Sequence, residues 1–384
     1  MPVDRVAPSD EARELFGLVR DLADKEVAPH ADALESRSEF PREVFRTLGA
    51  AGLLGLPYDE RYGGGAQPYE VYLQVVEQLA SAWLAVGLGL SVHTLACFPL
   101  AQYGTDEQRQ RWLPDMLGGA SLGAYCLSEP GSGSDAAALT TRAVSDGGDY
   151  VVNGTKAWVT HGGVADFYNV MVRTSDDGAK GISCLLATAD TAGLRPQAAE
   201  KKMGLRSSTT AQLVFDDARV PAERRIGAEG DGFAIAMSAL DGGRLGIAAC
   251  AVGVAQAALD VAARYATERM QFGQPVADFQ GVSFLLADMA TGIEAARSLY
   301  LAAARRRDRG EGYTKEAAMA KLFATDLAMR VTTDAVQVLG GYGYVTDFPV
   351  ERYMREAKVL QIVEGTNQIQ RVVIGRAVTR EARS

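Results

Sequence analysis

The order of apolar and polar residues predicts helices over roughly the first 120 residues of the chain. Ser9 can cap a helix whose first turn carries the acidic Asp10 and Glu11. The apolar residues that follow recur at the three- and four-residue steps of one helix face. These residues are Leu15, Leu18, Val19 and Leu22. Because glycines at 63–65 and the turn sequence at 103–106 interrupt the pattern, we predict an N-terminal domain of several helices over residues 1–122.

Between residues 123 and 228 the pattern changes to short β-rich runs separated by Gly, Asp and Pro. The pair Asn153 and Gly154 lies between two such runs, in DYVVNGTKAWVT. Both central positions of a type I′ turn favour positive φ, so this pair predicts a hairpin turn. We therefore expect an antiparallel, barrel-like β domain over residues 123–228.

Helical periodicity returns after residue 228 and takes a heptad form in two places. The first seam consists of Val282, Leu286, Met289, Ile293, Ala296 and Tyr300. The second consists of Ala318, Leu322, Thr325, Met329, Thr332, Val336 and Leu339. With an apolar helix before them and a last helix after Thr366, they predict a four-helix bundle over residues 229–384, with Met289 and Met329 in its core. The predicted fold class is α+β with three domains.

The composition and net charge of the chain indicate which classes of partner it can bind. Hydrophobic residues make up 47% of the chain and charged residues 23%, which is typical of a globular protein. The formal net charge of −9 gives a field that repels nucleic acid and anionic membranes, so we predict neither as a partner. The densest basic run, residues 305–309, fits either a solvated helix end or a local anion-binding patch.

Cysteine and histidine usage predicts reduced thiols and no metal site. The three histidines and four cysteines are widely separated, and none has the spacing of a metal or redox motif. The first 15 residues are too acidic for a signal peptide, so we predict a cytoplasmic protein. The longest uninterrupted apolar run, AWLAVGLGLSV, has about half of the roughly 20 residues of a membrane span.

Four short motifs could contact a ligand, although each also has a purely structural explanation. The glycines and hydroxyls of YCLSEPGSGSD, residues 125–135, suit an oxygen-rich cofactor or form a plain loop. Trp158 is a strand aromatic that could lie in the core or against a ring system. ERMQFG (268–273) and QVLGGYGY (337–344) could bind a cofactor, or simply end their helices. No Walker lysine or Rossmann glycine fingerprint accompanies them.

Glu364 is the most unusual single position in the sequence. It stands in QIVEGTNQIQ, residues 361–370, between an apolar pair and a Gly-Thr-Asn break. Burying an unpaired carboxylate costs several kcal/mol, so a structural explanation would need a helix N-terminus nearby, here the one capped by Thr366. The functional explanation is a general base that works in a dry cleft.

Together, in their order along the chain, these motifs resemble the acyl-CoA dehydrogenase family over essentially the whole length. The matching segments include YCLSEPGSGSD, GTKAWVTHGG, LDGGRLGIAA, ERMQFGQPVADFQ, QVLGGYGY, PVERYMREAK and EGTNQIQR. The resemblance implies an FAD enzyme with a helical domain, a β domain and a four-helix bundle. It also implies a homotetramer, arranged as a dimer of dimers.

The resemblance further implies which residues contact FAD, some of them across a subunit interface. The contacts from the loop and the strand are Tyr125, Cys126, Leu127, Ser128, Gly133, Ser134, Trp158, Val159 and Thr160. Those lent by a neighbouring subunit are Arg269, Gln271, Phe272, Phe279, Gln280, Gln337, Val338, Leu339, Gly340 and Gly341. The last helix adds Thr366, Asn367 and Gln368.

For the substrate, the resemblance implies that Glu364 abstracts the α-proton of an acyl-CoA while the β-hydride passes to flavin N5, which gives the trans-2-enoyl-CoA. Family members with a different base position carry it just before the arginine of LDGGR. Gly243 occupies that position here, which leaves Glu364. The implied substrate contacts are Ser134, Asp241, Gly242, Gly243, Arg244 and Gly365. A bound acyl chain should raise the pKa of Glu364 toward neutrality.

Electron-transfer flavoprotein is the acceptor that the resemblance implies, and an O2-using oxidase or flavin hydroxylase of the same fold is the alternative. A non-catalytic flavoprotein that binds nucleic acid is disfavoured by the charge of −9 and by Glu364. The sequence is most similar to the short-chain and short-branched-chain subgroup. Val363, Ser128 and His161 depart from common family residues, so the acyl group and the pathway, fatty acid or branched-chain amino acid, stay open.

Overall fold

In the computed structural model, which describes residues 3–383, the order of elements is helices, strands, helices. Ser9 caps the first helix, because its Oγ accepts a hydrogen bond from the amide of Ala12 at 3.1 Å. The helices of the N-terminal part are α1 (Asp10–Leu22), α2 (Ala31–Arg37), α3 (Arg42–Ala50), α4 (Tyr69–Ala82), α5 (Leu84–Tyr103) and α6 (Asp106–Leu117). Of these, α4 and α5 are almost entirely buried and form the centre of the molecule.

The middle part is one sheet with the strand order β6-β7-β3-β2-β4-β5-β8, and β1 pairs with β4. The strands are β1 (Gly123–Cys126), β2 (Arg142–Asp146), β3 (Asp149–Thr160), β4 (Phe167–Arg173), β5 (Ile182–Thr188), β6 (Leu194–Pro196), β7 (Thr210–Pro221) and β8 (Arg225–Ile226). Most strand pairs are antiparallel, as predicted, but β1 runs parallel to β4 and one residue pair of β2 and β4 is also parallel. A long crossover separates β1 from β4, which is the connection that parallel pairing needs.

The hairpin predicted at Asn153 and Gly154 was also wrong. These residues lie inside β3, where the pairing with β7 shifts register. The turn between β2 and β3 is instead Gly147 and Gly148, with φ of 61° and 97°. Gly154 has φ of 147°, and a Cβ there would lie 2.5 Å from the Thr141 Oγ1. The glycine therefore serves a close approach at a β-bulge rather than a turn.

The C-terminal part contains the predicted bundle and one further helix that the periodicity did not reveal. Its elements are α7 (Gly232–Glu268), β9 (Met270–Gln271), β10 (Gln274–Pro275), α8 (Gln280–Asp308), α9 (Thr314–Leu339), α10 (Val350–Leu360) and α11 (Asn367–Glu381). The unpredicted helix is α10, which packs on α9 and α7. Met289 is buried as predicted, whereas Met329 is half-buried against the core.

Two helices, α5 and α7, are long and apolar enough to cross a membrane by length and composition alone, so the estimate from the longest apolar run was too low. In each of them, 89% of the apolar window is buried inside the protein. They are therefore the core helices of the fold, and α5, α4 and α7 pack against one another. The four cysteines are all free and buried. Within residues 3–383, no group of His, Cys, Asp or Glu side chains is arranged to hold a metal ion.

Candidate active site

A cleft of about 450 Å³ opens where the sheet, the bundle and α5 meet. One wall comes from the loop after β1 and the end of β3, and the other from α7 and the turn before α11. Among the predicted site residues, those that line it are Tyr125, Leu127, Ser128, Gly133, Ser134, Trp158, Thr160, Arg244, Glu364, Gly365 and Thr366. The structure thus brings together residues that are up to about 240 positions apart in the sequence.

Glu364 presents its carboxylate to this cleft from a strained turn. Its φ is +55° and that of Gly365 is +86°, so two successive residues are left-handed, which is uncommon for a residue with a side chain. The residue as a whole is half-buried, but its Oε2 is fully buried and has no hydrogen-bond partner. Native proteins seldom leave such an atom unpaired, and a reactive role is one explanation.

The surroundings of Glu364 favour the neutral acid more than water does. Burial raises its pKa to about 7, and the cations Arg244 and Lys321 limit the rise. A carboxylate whose pKa lies near 7 is a suitable general base at neutral pH, because it is substantially ionised and still basic. This shift exists without any acyl chain in the cleft.

Gly243 on α7 faces the carboxylate directly. A Cβ at this position would lie 2.8 Å from the Glu364 Oε2, a separation that real Cβ atoms do not show. The neighbouring Gly242 accepts a hydrogen bond through its carbonyl from the Tyr69 hydroxyl at 3.1 Å. The glycine pair of LDGGR therefore gives the base its space and ties α7 to α4.

Arg244 is the cation of the cleft. It is 5% exposed, and its Nη1 lies 2.6 Å from the Asp241 Oδ1, while its Nε is buried without a partner. Asp241 also accepts a 2.6 Å hydrogen bond from the Thr314 hydroxyl. Burial raises the pKa of Asp241, although Thr314 and Arg244 both oppose the rise. Asp241 thus holds Arg244 in place and is not itself part of the lining.

The glycine- and serine-rich loop is fixed by a buried ion pair beneath it. The Lys156 Nζ lies 2.8 Å from the Glu129 Oε1 and also donates to the carbonyl of Leu127 at 3.1 Å. Burial works against the charge of Glu129, but Lys156 and hydrogen bonds from Thr140 and Thr141 hold its pKa at about 2. The loop therefore keeps its shape, which orients the cleft-lining residues around it.

Within this loop and the strand beside it, side chains alternate between the cleft and the β core. Cys126 and Val159 are buried in the core of the sheet, so only their backbones could reach a cofactor. Trp158 has φ of +60° at a bulge against β7 and is 65% exposed. The bulge turns the indole outward into the cleft. The Tyr125 hydroxyl is buried and has no partner, so it offers a polar contact there.

The residues predicted to be lent across a subunit interface lie at the end of the bundle, outside the described lining of this cleft. Phe272 is 93% exposed at the tip of the β9–β10 hairpin and meets Phe279 edge-to-face at 5.9 Å. The Arg269 guanidinium lies 5.5 Å from the ring centroid of Tyr342, which follows Gly341. The two predicted segments, 269–280 and 337–341, therefore come together on one surface.

At the start of α11 the predicted contacts separate. Thr366 caps the helix, because its Oγ1 accepts from the amide of Ile369 at 3.3 Å, and it lines the cleft. Asn367 is buried with its side chain bound to α9, and Gln368 is exposed away from the lining. For these two residues the structure does not bring the side chain to the cleft.

The sequence interpretation missed the apolar wall and the cation beneath the base. The apolar residues come from two helices and include Leu88, Val92, Leu95, Phe233, Met237, Leu240 and Ile247. Lys321 is completely buried on α9, and its Nζ donates to the carbonyl of Gly365 at 3.0 Å. A buried lysine in a heptad helix has no distinctive sequence signal, since its surroundings depend on the packing of α11.

Three family models match successive parts of the chain: acyl-CoA dehydrogenase N-terminal domain over residues 9–120, middle domain over 124–218 and C-terminal domain over 230–379. The chain belongs to the acyl-CoA dehydrogenase family. An acyl-CoA dehydrogenase of Bacillus subtilis is 47% identical, with 94% of this chain and 95% of the relative covered. The short-chain specific acyl-CoA dehydrogenase of Clostridium acetobutylicum is 44% identical, with 94% and 96% covered.

Solved structures agree with the assignment. Butyryl-CoA dehydrogenase from Megasphaera elsdenii superposes with a TM-score of 0.95 at 41% identity, over 99% of this chain and 100% of that one. A chain solved in work on the electron transferring flavoprotein of Acidaminococcus fermentans gives 0.96 at 42% identity, over 99% and 100%. The protein is therefore an FAD-dependent acyl-CoA dehydrogenase.

The cleft fits that cofactor chemically. A flat ring can lie against the exposed indole of Trp158, and the glycines at 131 and 133, which have nothing within 4 Å of a Cβ position, leave room for a diphosphate near backbone amides. The Tyr125 hydroxyl and the Arg244 Nε are buried without a hydrogen-bond partner and so are free to bind polar groups of a ligand.

Proposed function

We propose that the protein converts a short acyl-CoA thioester into its trans-2-enoyl-CoA, with Glu364 as the base that abstracts the α-proton. Bound FAD supplies N5 as the acceptor of the β-hydride. The observation that carries the proposal is the buried, unpaired Oε2 of Glu364 at the wall of the cleft. An α-proton beside a thioester is weakly acidic, so the base needs the raised pKa of about 7 that this position gives it.

The residues around Glu364 would divide the remaining tasks. The backbone N–H of Glu364 would donate to the thioester carbonyl and stabilise the charge that develops there. Arg244, held by Asp241, and Ser134 would bind the CoA arm beside Gly365. Gly242 and Gly243 lie outside the described lining of the cleft, and Gly243 would act by leaving space for Glu364. The apolar wall from α5 and α7 would exclude water from the acyl group and raise the pKa of the base further.

The flavin site would be shared between subunits. Tyr125 to Ser134, Trp158 to Thr160 and the start of α11 would hold FAD within the chain. The surface formed by residues 269–280 and 337–341 would complete the site of a neighbouring copy, in a homotetramer. Its separation from the described cleft of its own chain and the exposure of Phe272 support this arrangement. We propose domain boundaries after residues 122 and 228, between the helices and strands described above.

The acyl end of the cleft supports a short chain as substrate. The α5 and α7 helices approach closely at Gly246 and are in ordinary contact one turn away at Gly243. A Cβ at Gly246 would lie 2.0 Å from the Ser91 Oγ, and one at Gly243 would lie 3.4 Å from the Leu95 Cδ1. This close packing of α5 on α7 beside the apolar wall would limit the room for a long acyl chain. The short-chain specific relative and the butyryl-CoA dehydrogenase structure are consistent with this proposal.

Electron-transfer flavoprotein would be the acceptor, reached through the exposed edge of the site near Trp158. The alternative is an O2-using enzyme, because a solved prolyl acyl carrier protein oxidase is also similar, with a TM-score of 0.93 at 29% identity. Oxygen consumption on addition of butyryl-CoA distinguishes the two. Cytoplasmic location stays a prediction.

The test of the proposal is anaerobic bleaching of the flavin by acyl-CoA thioesters of four to sixteen carbons, with isobutyryl- and isovaleryl-CoA included. We expect the purified protein to be yellow and the short thioesters to bleach it fastest. Glu364→Gln should bind the same thioesters and leave the flavin oxidised, with a rate about 100- to 10,000-fold lower. Bleaching by this variant at the normal rate would show that another group is the base.

A further inference from the structure

Side chains donate hydrogen bonds to the backbone carbonyls of both Glu364 and Gly365, the two residues of the turn. The Lys321 Nζ donates to the carbonyl of Gly365 at 3.0 Å, and the Gln370 Nε2 donates to the same oxygen at 2.7 Å. Gln370 also donates to the carbonyl of Glu364 at 3.2 Å. Glu364 and Gly365 both have left-handed backbones. A strained conformation persists only where its surroundings fix it, and here side chains from α9 and α11 do so.

Helix α9 also binds the residues on either side of the Glu364–Gly365 turn. Lys321 donates to the Asn367 Oδ1 at 2.8 Å, and the Asn367 amide donates to the Asp326 Oδ1 at 2.7 Å. Gln361, before the turn, donates to the same Asp326 oxygen at 2.7 Å. Side chains one to two helical turns apart on α9 therefore bind both ends of the segment from 361 to 367.

We propose that Lys321 is a positioning residue for proton abstraction, which holds the Glu364–Gly365 turn so that the carboxylate faces the cleft and places a buried positive charge behind it. The inference rests on the proposed role of Glu364 as the base. Lys321 itself is outside the described cleft lining and acts through Glu364. Its complete burial, with two oxygen acceptors in reach, is unusual for a lysine and needs a reason beyond solvation.

The charges around Glu364 determine how the loss of Lys321 would change the pKa of the base. Arg244 on α7 and Lys321 on α9 both lower the pKa of Glu364 against the effect of burial. Burial lowers the pKa of Lys321 to about 7, while Glu364 and Asp326 oppose this and Arg244 adds to it. The charge of Glu364 also acts on the hydroxyls of Tyr125 and Tyr69, and burial keeps both protonated. Wherever Lys321 is protonated, removing it therefore leaves Arg244 as the one cation near the base and raises the pKa of Glu364.

The test is Lys321→Met, which keeps the length of the side chain and removes its donors and its charge. Flavin reduction by butyryl-CoA is measured anaerobically by stopped flow as a function of substrate concentration and pH. We expect the limiting rate to fall about 10- to 100-fold, as for a misplaced catalytic group, while the substrate Kd changes by less than about threefold. The apparent pKa of the limiting rate should move upward. Lys315→Met, on the same helix with a surface partner in Glu381, is the control.

Gln370→Met separates position from charge, because it removes two hydrogen bonds to the turn and no charge. It should lower the limiting rate without moving the apparent pKa, and it carries the test if Lys321→Met does not fold with FAD. Adding Lys321→Met to Glu364→Gln should lower the residual rate no further. A normal rate and pH profile in Lys321→Met would overturn the inference and leave the role of Glu364 intact. An active Glu364→Gln would instead overturn the proposed function.

Discussion

At the residue scale, the site depends on one carboxylate that the fold holds in an unfavourable place. Glu364 combines a left-handed backbone, a buried oxygen without a partner and a pKa raised to about 7. Each of these features destabilises the folded chain relative to a solvated glutamate. Gly243 opposite makes the arrangement possible, since any side chain there would contact the carboxylate. Sequence patterns could point to Glu364, but its burial and strain are visible only in the folded chain.

The raised pKa of Glu364 predicts that replacing the carboxyl group by an amide stabilises the folded protein at alkaline pH. A carboxyl group whose pKa is raised in the folded state favours folding at low pH, and this contribution is lost as the pH rises from about 4.5 to about 7. Glu364→Gln does not titrate. We therefore expect the variant to exceed the wild type in stability by about 1 to 3 kcal/mol at pH 8 and to lose this advantage near pH 5.

The measurement is chemical unfolding of the FAD-loaded proteins at pH 5, 6, 7 and 8, in parallel with Glu14→Gln, an exposed carboxylate on α1. The difference between wild type and Glu364→Gln should change with pH more than the difference for the surface variant. Equal pH dependence in both variants would mean that Glu364 is not held in an environment that favours its neutral form.

At the scale of elements, hydrophobic periodicity predicted the order of helices and strands correctly. The residue types typical of turns predicted a hairpin in the wrong place. Asn153 and Gly154 have the best hairpin composition in the chain, yet the glycine is required by the approach of Thr141 to a bulge. The turn forms at Gly147 and Gly148, where both residues have positive φ. The reason is tertiary: β3 pairs along its whole length with β7, and a turn in its middle would break that pairing. The helix α10 was missed because two of its buried positions, Arg352 and Glu356, are charged and interrupt the apolar pattern.

The two glycine sites therefore predict opposite responses to substitution. Gly154→Ala places a Cβ 2.5 Å from the Thr141 Oγ1 and should destabilise the protein by about 1 to 3 kcal/mol. Gly147→Asn meets nothing within 4 Å, and Asn tolerates a left-handed backbone, so the variant should unfold within about 0.5 kcal/mol of wild type. Thermal or denaturant unfolding checks both. A mild effect at 154 together with a severe one at 147 would contradict the register of β3.

At the scale of the whole molecule, buried polar side chains join the N-terminal helices to the bundle. Glu77 on α4 accepts hydrogen bonds from Arg297 and Tyr300 on α8, and Arg5 lies 3.2 Å from the same carboxylate. Burial would raise the pKa of Glu77, but the two arginines hold it below its usual range. Removing one partner of such a buried pair leaves an uncompensated charge, which typically costs about 3 to 5 kcal/mol. The sequence contains these charges without any sign of their pairing, because the partners are 220 positions apart.

The surface formed by residues 269–280 and 337–341 packs little against the rest of its own chain. The motifs ERMQFG and QVLGGYGY could be recognised in the sequence, and the structure brings them together through Arg269 and Tyr342. Phe272 at its tip is 93% exposed with φ of +51°. A large ring in that position contributes nothing to the core of its own chain. Its place in the proposed assembly is against the cofactor of a neighbouring copy.

Phe272→Ala should therefore weaken FAD binding although the residue lies outside the described cleft of its own chain. We expect a lower ratio of flavin to protein after dialysis, restored by added FAD, with the apoprotein's secondary structure unchanged. Sedimentation velocity reports whether the assembly itself weakens. Leu18→Ala, which removes another exposed apolar side chain on α1, should leave flavin content normal. Full FAD retention by Phe272→Ala would contradict the proposed contact of this ring with a neighbour's cofactor, because an exposed ring that touches no cofactor can be removed without consequence.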